Sequence, residues 1–415
     1  MTSKPPVLGS RFRRVLAAHA TSQLGIGLHL AAFPLLVSTL TTDPRVVAAL
    51  ALTSSIPGLF LALPIGIWVD RAHRGRLMVG SDLVCATVLL TLTMLVALDR
   101  IEMWKLFTAA AAVGIAELVF GTSTFALLPS LVRPTDLTRA NSYQSVAGQT
   151  GSGVIGPALG GLAFAVVPFL PFAVNSATYL MSSATINSFA RRSDTRPAKS
   201  VVLQSESWRQ AMVAGIGYLS RHRPARTLLI LSASSGLFGW MPEATFVLFA
   251  REELHLQPAV FGVLLGATTV GAVIGGLAAG RASARLGTFR LLVITYSIYG
   301  LLLIPVGLTT NGWIAGTLFF LQGLPLIACD ATTRSLLQTL VPDELLGRIG
   351  AVNRMVHSTT VPLGLAAGGI LATWVGLRAV WIIAGLGYLG TLALNIPALK
   401  RISSDPDAHP KHGSH

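Results

Sequence analysis

The sequence predicts an all-α membrane protein with twelve transmembrane helices, arranged as two six-helix pseudo-repeat bundles. Three observations support this fold class: an apolar composition, twelve apolar stretches of bilayer length, and two motifs that recur at nearly one offset. Of the 415 residues, 52% are hydrophobic and 12% are charged, with 41 glycines and a mean hydropathy of +0.65. Because the charged share is about half that of an average globular domain, the composition excludes a soluble protein.

Twelve stretches are long and apolar enough to cross about 30 Å of hydrocarbon, which takes about 20 helical residues. The predicted spans are 15–39, 46–69, 77–98, 104–131, 141–166, 168–189, 226–250, 258–280, 288–308, 312–336, 348–373 and 376–399. The first span is too long for a signal peptide and is followed by no small-residue cleavage site, so we expect it to be a helix of the fold.

The polar segments between and after the spans predict the domain organisation. We expect an N-terminal six-helix bundle at 1–190, a cytoplasmic central loop at 191–225, a C-terminal six-helix bundle at 226–400 and a disordered tail at 401–415. The middle of the loop, Trp208 to Leu219, predicts an amphipathic helix on the membrane surface. In the tail, Asp, Pro, Lys and Gly separate three histidines, a composition that favours disorder over a metal site.

The excess of basic residues, 31 Lys+Arg against 17 Asp+Glu, is explained by membrane topology. With the N-terminus placed in the cytoplasm, 26 of the 31 basic residues fall on the inner side. The five on the outer side are Arg45, Arg100, Lys105, Arg251 and Arg378. Since cytoplasmic loops carry such an excess of Lys and Arg, we expect both termini in the cytoplasm, and the charge requires no nucleic-acid partner.

Two motifs recur about 210 residues apart. A glycine-bearing helix end followed by arginines stands at 66–76 and again at 276–290. A turn that opens on a proline and leads to a Gly-Gly pair stands at 134–161 and, 208 residues later, at 342–369. Two matches at equivalent places in each half predict the duplication of a six-helix unit.

Several of these stretches resemble the major facilitator superfamily, over nearly the whole chain. The stretch 66–76 resembles the signature of that superfamily between helices 2 and 3, with one residue more than the usual spacing. The segment Asp136-Leu-Thr-Arg-Ala-Asn141 with Gly156-Pro-Ala-Leu-Gly-Gly161 resembles the fifth helix of its exporters, apart from Ser152 and Tyr143 where glycines are usual. The stretch from Trp208 to Leu219 is similar to the subgroup of macrolide-type drug and siderophore exporters.

The resemblance implies a cytoplasmic gate formed by Gly66, Asp70, Arg71, Arg74 and Arg76. Gly66 would allow close helix packing. Asp70 would pair with a basic neighbour or cap a facing helix N-terminus, in a contact that breaks when the bundles rock apart. From the residues alone, a solvated turn that follows the positive-inside bias explains the same charges.

The fifth span carries small residues every four positions, at Gly148, Ser152, Gly156 and Gly160, which places them on one helix face. Ordinary small-residue packing accounts for such a face in any membrane bundle. Pro157 removes a backbone donor and can kink the helix. The resemblance implies an exporter-type motif that biases the carrier toward export, formed by Gly156, Pro157, Gly160 and Gly161.

Four ionisable residues fall deep in four different spans: His29, Glu117, Glu243 and Asp330. A charge near the bilayer centre costs about 2.5–3.5 kcal/mol on insertion scales, so each one requires a reason. In the superfamily, the helices that correspond to these four spans line the central cavity. Glu117 lies nearest mid-span with no cation within one helical turn, so it is the first candidate for proton coupling and Glu243 is the second.

The other deep residues have competing interpretations. Arg334 stands one turn after Asp330, which favours a structural ion pair over a carrier role, although Asp330 stays among the proton-coupling candidates. His29 titrates in a useful range, but a lone histidine is more often a hydrogen-bonded packing residue. Asp82, early in the third span, is expected to lie within reach of Arg76 or of the gate in a structural role.

The chain lacks the motifs of common enzymes: HExxH, GxSxG, the phosphate-binding GxxxxGK[ST] loop and a Cys/His ligand cluster. We therefore expect a non-enzymatic protein that has no metal or cofactor and draws its energy from an ion gradient. The predicted function is proton-coupled efflux of a small amphipathic organic compound such as a drug, antibiotic or siderophore-like molecule, by alternating access, in a monomer of the inner membrane. The alternatives are a nutrient uptake facilitator and a non-transporting membrane sensor or scaffold.

Overall fold

The computed structural model describes residues 9–128, 131–133, 136–190 and 217–404 of the chain. Within these residues, twelve helical segments follow the twelve predicted spans, and no strand is present. The helices of the first half are α1 (Ser10–Leu40), α2 (Pro44–Arg71), α3 (Arg74–Ala97), α4 (Met103–Leu127), α5 (Leu137–Gly148, a π-helical turn Gln149–Ile155, and Gly156–Val166) and α6 (Leu170–Ala190).

The second half has the same number of helices. They are α7 (Arg223–Trp240, a 3₁₀ turn Pro242–Thr245, Phe246–Leu248, and a π-helical turn Phe249–Glu253), α8 (Pro258–Leu286), α9 (Thr288–Leu308), α10 (Gly312–Leu340), α11 (Asp343–Val375) and α12 (Leu377–Ser404). Among the described residues, nine helices are long and apolar enough on their own to cross a membrane. The all-α membrane fold predicted from the sequence is therefore confirmed.

Several helices extend beyond the predicted spans, because a hydropathy window marks the hydrocarbon core while the hydrogen-bonded helix continues past it. Helix α1 begins at Ser10 rather than near residue 15, and α12 continues to Ser404, four residues into the predicted tail. The rest of that tail, 405–415, lies outside the described residues. So does most of the predicted central loop, 191–216, although residues 217–221 at the end of its amphipathic stretch are helical.

The chain divides into two compact units. Unit 1 contains residues 1–42, 50–200 and 256–266, and unit 2 contains residues 43–49, 201–255 and 267–415. In unit 1, α1 packs against α5 and α6, while α3 packs against α4 and α6. In unit 2, α7 packs against α11 and α12, while α9 packs against α10 and α12. The four pairs of packed helices in the first half therefore correspond to the four pairs in the second half, as a duplicated six-helix unit requires.

Two of the turns between helices depend on glycine. Gly287, between α8 and α9, has φ = 81°, and Gly376, between α11 and α12, has φ = 87°. A side chain is strained at such positive φ values, so glycine allows these helices to follow one another after a single residue. At the start of α10, the Asn311 side chain accepts hydrogen bonds from the backbone N–H groups of Trp313 and Ile314.

Helix α5 lies directly against the backbone of α1 in unit 1. A Cβ atom added to Gly156 would lie 2.5 Å from the Cα of Gly27, and one added to Gly160 would lie 2.5 Å from the carbonyl oxygen of Leu28. Gly161 contacts a different neighbour, since its Cβ would lie 2.5 Å from the carbonyl oxygen of Pro258. These glycines thus permit helix contacts that any larger residue would prevent.

The small-residue face of α5 differs from the one expected from four-residue spacing. The π-helical turn Gln149–Ile155 lies between Gly148 and Gly156, and a wider turn changes which residues face α1. Gly151 replaces Ser152 at the contact, with its Cβ position 3.0 Å from the backbone nitrogen of Leu24. Ser152 instead donates to the carbonyl oxygen of Gly148 at 2.9 Å. Pro157, where a kink is expected, lies two residues after the end of this π turn.

Replacing Gly160 with alanine tests the contact between α5 and α1. The added methyl group would meet the backbone of Leu28, which cannot rotate away. We expect Gly160→Ala to lower the free energy of unfolding by about 1–3 kcal/mol, measured by thermal unfolding of the purified protein in detergent.

The matched control is Gly121→Ala in α4, where nothing lies within 4 Å of the added Cβ. This change should be neutral or stabilise the helix by about 0.5–1 kcal/mol. Equal melting temperatures for the two variants would contradict close packing at Gly160.

Candidate functional site

One carboxylate oxygen in unit 1 has two polar partners from other helices. The Tyr179 hydroxyl, on α6, donates to Oε1 of Glu117, on α4, at 2.5 Å. Nε2 of His29, on α1, lies 3.6 Å from the same oxygen. The side chains of His29 and Glu117 are 9% and 22% exposed. The imidazole beside Glu117 therefore comes from a distant part of the sequence, which the spacing along α4 could not reveal.

The orientation of His29 follows from its other ring nitrogen. Nδ2 of Asn175, on α6, lies 3.2 Å from Nδ1 of His29. An amide nitrogen carries only donors, so Nδ2 donates toward the ring. In the neutral ring Nδ1 is then the acceptor and Nε2 carries the hydrogen, directed at Glu117. Gly25 leaves room for this arrangement, since a Cβ there would overlap the Asn175 amide.

Two further polar residues of α3 belong to the same region of unit 1. Asp82 is 1% exposed, and its Oδ2 atom has no hydrogen-bond partner among the described residues. It interacts electrostatically with Glu117 and Tyr179. Cys85 is equally buried and interacts with the same two residues. We call His29, Asp82, Cys85, Glu117, Asn175 and Tyr179 the polar cluster of unit 1.

Asp82 does not lie where the sequence suggested. Arg76, its expected partner, is exposed to solvent, whereas Asp82 is buried between α3, α4 and α6. Asp82 is therefore not paired with Arg76 among the described residues, while the expected structural role stays a prediction. Asp82 is the eighth residue after Arg74, the first residue of α3, and at 1.5 Å per residue it lies about 12 Å along the helix.

The remaining proton-coupling candidates both lie in unit 2. Glu243 stands on the 3₁₀ turn Pro242–Thr245 that interrupts α7, with its residue exposed. Asp330 accepts from Nε of Arg334 at 3.0 Å, one turn along α10. The side chains of Asp330 and Arg334 are 62% and 68% exposed, so this pair is on a surface of α10 rather than in the core. Exposed pairs of this kind contribute about 0–1 kcal/mol to stability.

Unit 2 contains a cavity of about 250 Å³ between α7, α9, α10, α11 and α12. Three tyrosines line it, with the ring of Tyr388 lying 5.0 Å from those of Tyr296 and Tyr299. Cys329 contacts the Tyr388 hydroxyl at 4.0 Å. Polar groups are added to the wall by Ser232, Ser235, Thr333, His357 and the ion pair of Asp330 with Arg334. The cavity thus combines aromatic rings with hydrogen-bonding groups.

The residues expected to form a gate are found at the adjoining ends of α2 and α3. Oδ1 of Asp70 lies 3.9 Å from Nη2 of Arg74, which also donates from Nη1 to the carbonyl oxygen of Ala126 at 2.8 Å. Arg71 and Arg76 are exposed. The close packing expected at Gly66 is absent among the described residues, because nothing lies within 4 Å of its Cβ position.

The described residues contain no group of three or more His, Cys, Asp or Glu side chains placed to hold a metal ion. The polar cluster of unit 1 consists mainly of titratable side chains. It contains two carboxyl groups, one imidazole and one phenol, and these are groups that bind and release protons.

Known proteins of similar sequence are transporters. The chain is 23% identical to macrolide efflux protein A of Streptococcus pyogenes over 386 residues, covering 90% of this chain and 92% of that protein. It is 25% identical to the multidrug efflux pump Tap of Mycolicibacterium fortuitum over 412 residues, covering 94% and 96%. The crystal structure of nucleoside transporter NupG matches the fold with a TM-score of 0.71 at 14% identity, covering 95% of this chain and 100% of NupG.

The similarity extends over the whole molecule. The model of one protein family, described as transmembrane secretion effector, matches residues 1–412. The chain therefore belongs to the transmembrane secretion effector family and, with it, to the major facilitator superfamily of membrane transporters.

Proposed function

We propose that this membrane transporter is a proton-driven exporter of small amphipathic organic compounds in the bacterial cell membrane. The observation that carries the proposal is the polar cluster of unit 1, in which Glu117 meets Tyr179 and His29 inside an apolar bundle. An intramembrane carboxyl with such partners is by default a functional group, since a purely structural residue at that depth would be apolar.

Glu117 is suited to exist in two protonation states. When it is ionised, the Tyr179 hydroxyl and the Nε2–H of His29 stabilise its charge, which would otherwise be costly in a bundle interior. When it is protonated, the Tyr179 hydroxyl still donates to the same carboxyl. The proton therefore enters and leaves without loss of the hydrogen bond, as a carrier that cycles between two states requires.

The relatives and the charge distribution support export as the direction. Two relatives that align along most of the chain are named as efflux proteins. The excess of Lys and Arg on one side supports cytoplasmic termini, which makes the ends of α2 and α3 with Asp70 and Arg74 the inner end. There Asp70, whose side chain is 70% exposed, would act as the switchable element of the gate.

The cavity of unit 2 supports an amphipathic substrate. Its tyrosine rings provide apolar contact, and the hydroxyls of Tyr299, Ser235 and Thr333 provide hydrogen bonds. At about 250 Å³ it is below the usual size of a drug-sized pocket, about 300–1,000 Å³. It would therefore hold one ring of a larger compound. Asp330 and Arg334 both line the cavity and pair with each other, so their charges offset one another at its wall.

Replacing Glu117 with glutamine tests proton coupling. Glutamine keeps a side-chain oxygen that accepts from Tyr179 but does not titrate. In everted membrane vesicles with an imposed pH gradient, we expect Glu117→Gln to reduce uphill macrolide accumulation about tenfold or more. Downhill macrolide movement should continue, because binding does not require the proton.

The matched control is Glu102→Gln, which changes an exposed carboxylate paired with Lys105 at 2.6 Å. It should transport as the wild type does. Wild-type accumulation in Glu117→Gln would contradict the coupling role of this residue. Accumulation driven in the opposite direction would indicate a nutrient uptake carrier instead.

Replacing Tyr299 with phenylalanine tests the cavity of unit 2 as a substrate site. The ring stays in place, and only the hydroxyl beside Gln322 is lost. We expect the Kd for a radiolabelled macrolide to rise about fivefold, as the loss of about 1 kcal/mol of hydrogen bonding implies. Tyr143→Phe, at an exposed position of α5, is the control and should leave the Kd unchanged. Equal Kd values for both variants and the wild type would contradict the assignment.

A further inference from the structure

The carboxyl group of Asp82 is the most fully buried acidic group among the described residues. The residue is 1% exposed, and its Oδ2 atom lacks a hydrogen-bond partner in the described part of the chain. Buried polar atoms almost always have partners, so an unpaired one requires an explanation. A permanently ionised carboxylate would be unstable here, because one of its oxygens receives no hydrogen bond.

The groups that face Asp82 offer little compensation for a negative charge. Glu117 of α4 adds a second acid, and Tyr179 of α6 directs its hydroxyl hydrogen to Glu117. Ser182 of α6 offers one hydroxyl to the carboxyl group of Asp82, and Cys85 of α3 is a neutral neighbour. His29 of α1 is directed at Glu117, and no Lys or Arg pairs with Asp82 among the described residues.

Asp82 and Glu117 also lie at similar depth in unit 1. Asp82 lies about 12 Å of helix from Arg74 at the start of α3, and Glu117 lies about 15 Å from Leu127 at the end of α4. Those two helix ends adjoin each other, since Arg74 donates to the backbone of Ala126. Two carboxyl groups that share one apolar environment do not both ionise easily. The protonation state of one group therefore changes the affinity of the other for its proton.

We propose that Asp82 is a second proton-binding site, coupled to Glu117 in the polar cluster of unit 1. Its ligand is the hydrogen ion, which forms an O–H bond with the carboxylate and returns to water as hydronium when that bond breaks. The unpaired Oδ2 is the oxygen that accepts this proton. As an extension of the proposed export function, the site implies that two protons cross for each exported molecule.

Infrared spectroscopy tests the site without any substrate. Protonated carboxyls absorb as C=O bands that disappear when the group ionises, so a pH titration of detergent-purified protein counts them. We expect the wild type to lose two bands of buried carboxyls as the pH rises, and Asp82→Asn and Glu117→Gln to lose one each. The band left in each variant should titrate at a different pH from the wild type, because the neighbouring charge is gone.

The control variant is Asp99→Asn, at an exposed position in the turn between α3 and α4. Asparagine tolerates the positive φ of 54° at this site, so both bands should remain. Loss of two bands in Asp82→Asn would overturn the proposal. A buried aspartic acid band that stays unchanged over the whole pH range would also overturn it, by showing a permanently neutral structural group.

Isotope labelling makes the test independent of folding of the variants. In wild-type protein grown with aspartate that carries ¹³C in its side-chain carboxyl, one of the two titrating bands should shift in frequency. If neither band shifts, the second group is not an aspartate and the proposal fails.

The transport consequence is measured separately. In proteoliposomes, Asp82→Asn should halve the number of protons moved per exported macrolide molecule. An unchanged number would overturn the two-proton exchange. Because the infrared titration needs no transport, failure of the proposed export and failure of the proton site are distinguishable.

Discussion

The central physical constraint in this molecule is a single carboxylate oxygen held in an apolar helix bundle. Oε1 of Glu117 is approached by the Tyr179 hydroxyl and by Nε2 of His29, and Asn175 fixes the orientation of the histidine ring. These contacts require α1, α4 and α6 to lie close together, and α5 also packs against α1 through a glycine contact with Leu28. Packing and proton chemistry in unit 1 therefore depend on the same helices.

The duplication places different chemistry at corresponding positions of the two units. Tyr388 stands 209 residues after Tyr179, nearly the offset of the repeated motifs. Tyr179 meets Glu117 and Cys85, whereas Tyr388 meets Cys329 and two further tyrosines beside a cavity. We interpret this difference as a division of roles, with proton exchange in unit 1 and substrate contact in unit 2. Thermodynamic coupling between a proton site and a substrate site acts in both directions. If bound substrate lowers the affinity for the proton, then the bound proton lowers the affinity for the substrate by the same factor.

Most of the fold could be predicted from the sequence, because hydrocarbon thickness fixes the length of an apolar helix and the repeat fixes the number of helices. Their position deep in the apolar spans also identified Glu117 and His29 as separate candidates for proton coupling. Their contact could not be predicted, since it depends on which faces of α1 and α4 meet. The burial of Asp82 away from Arg76 depends on helix faces in the same way. The π turn of α5 altered which glycines face α1, and a four-residue spacing could not anticipate this change. The recurrence of tyrosine at the repeat offset was the one available signal for Tyr179.

The most direct test of this account measures protons at the moment of substrate binding. A saturating macrolide is added to the purified protein in weakly buffered detergent solution with a pH-sensitive dye, while binding is followed in parallel. The account predicts that the wild type releases protons in amounts comparable to the protein present, and that Glu117→Gln binds macrolide but releases fewer. Macrolide binding to the wild type with no proton release would contradict the coupling of the two sites.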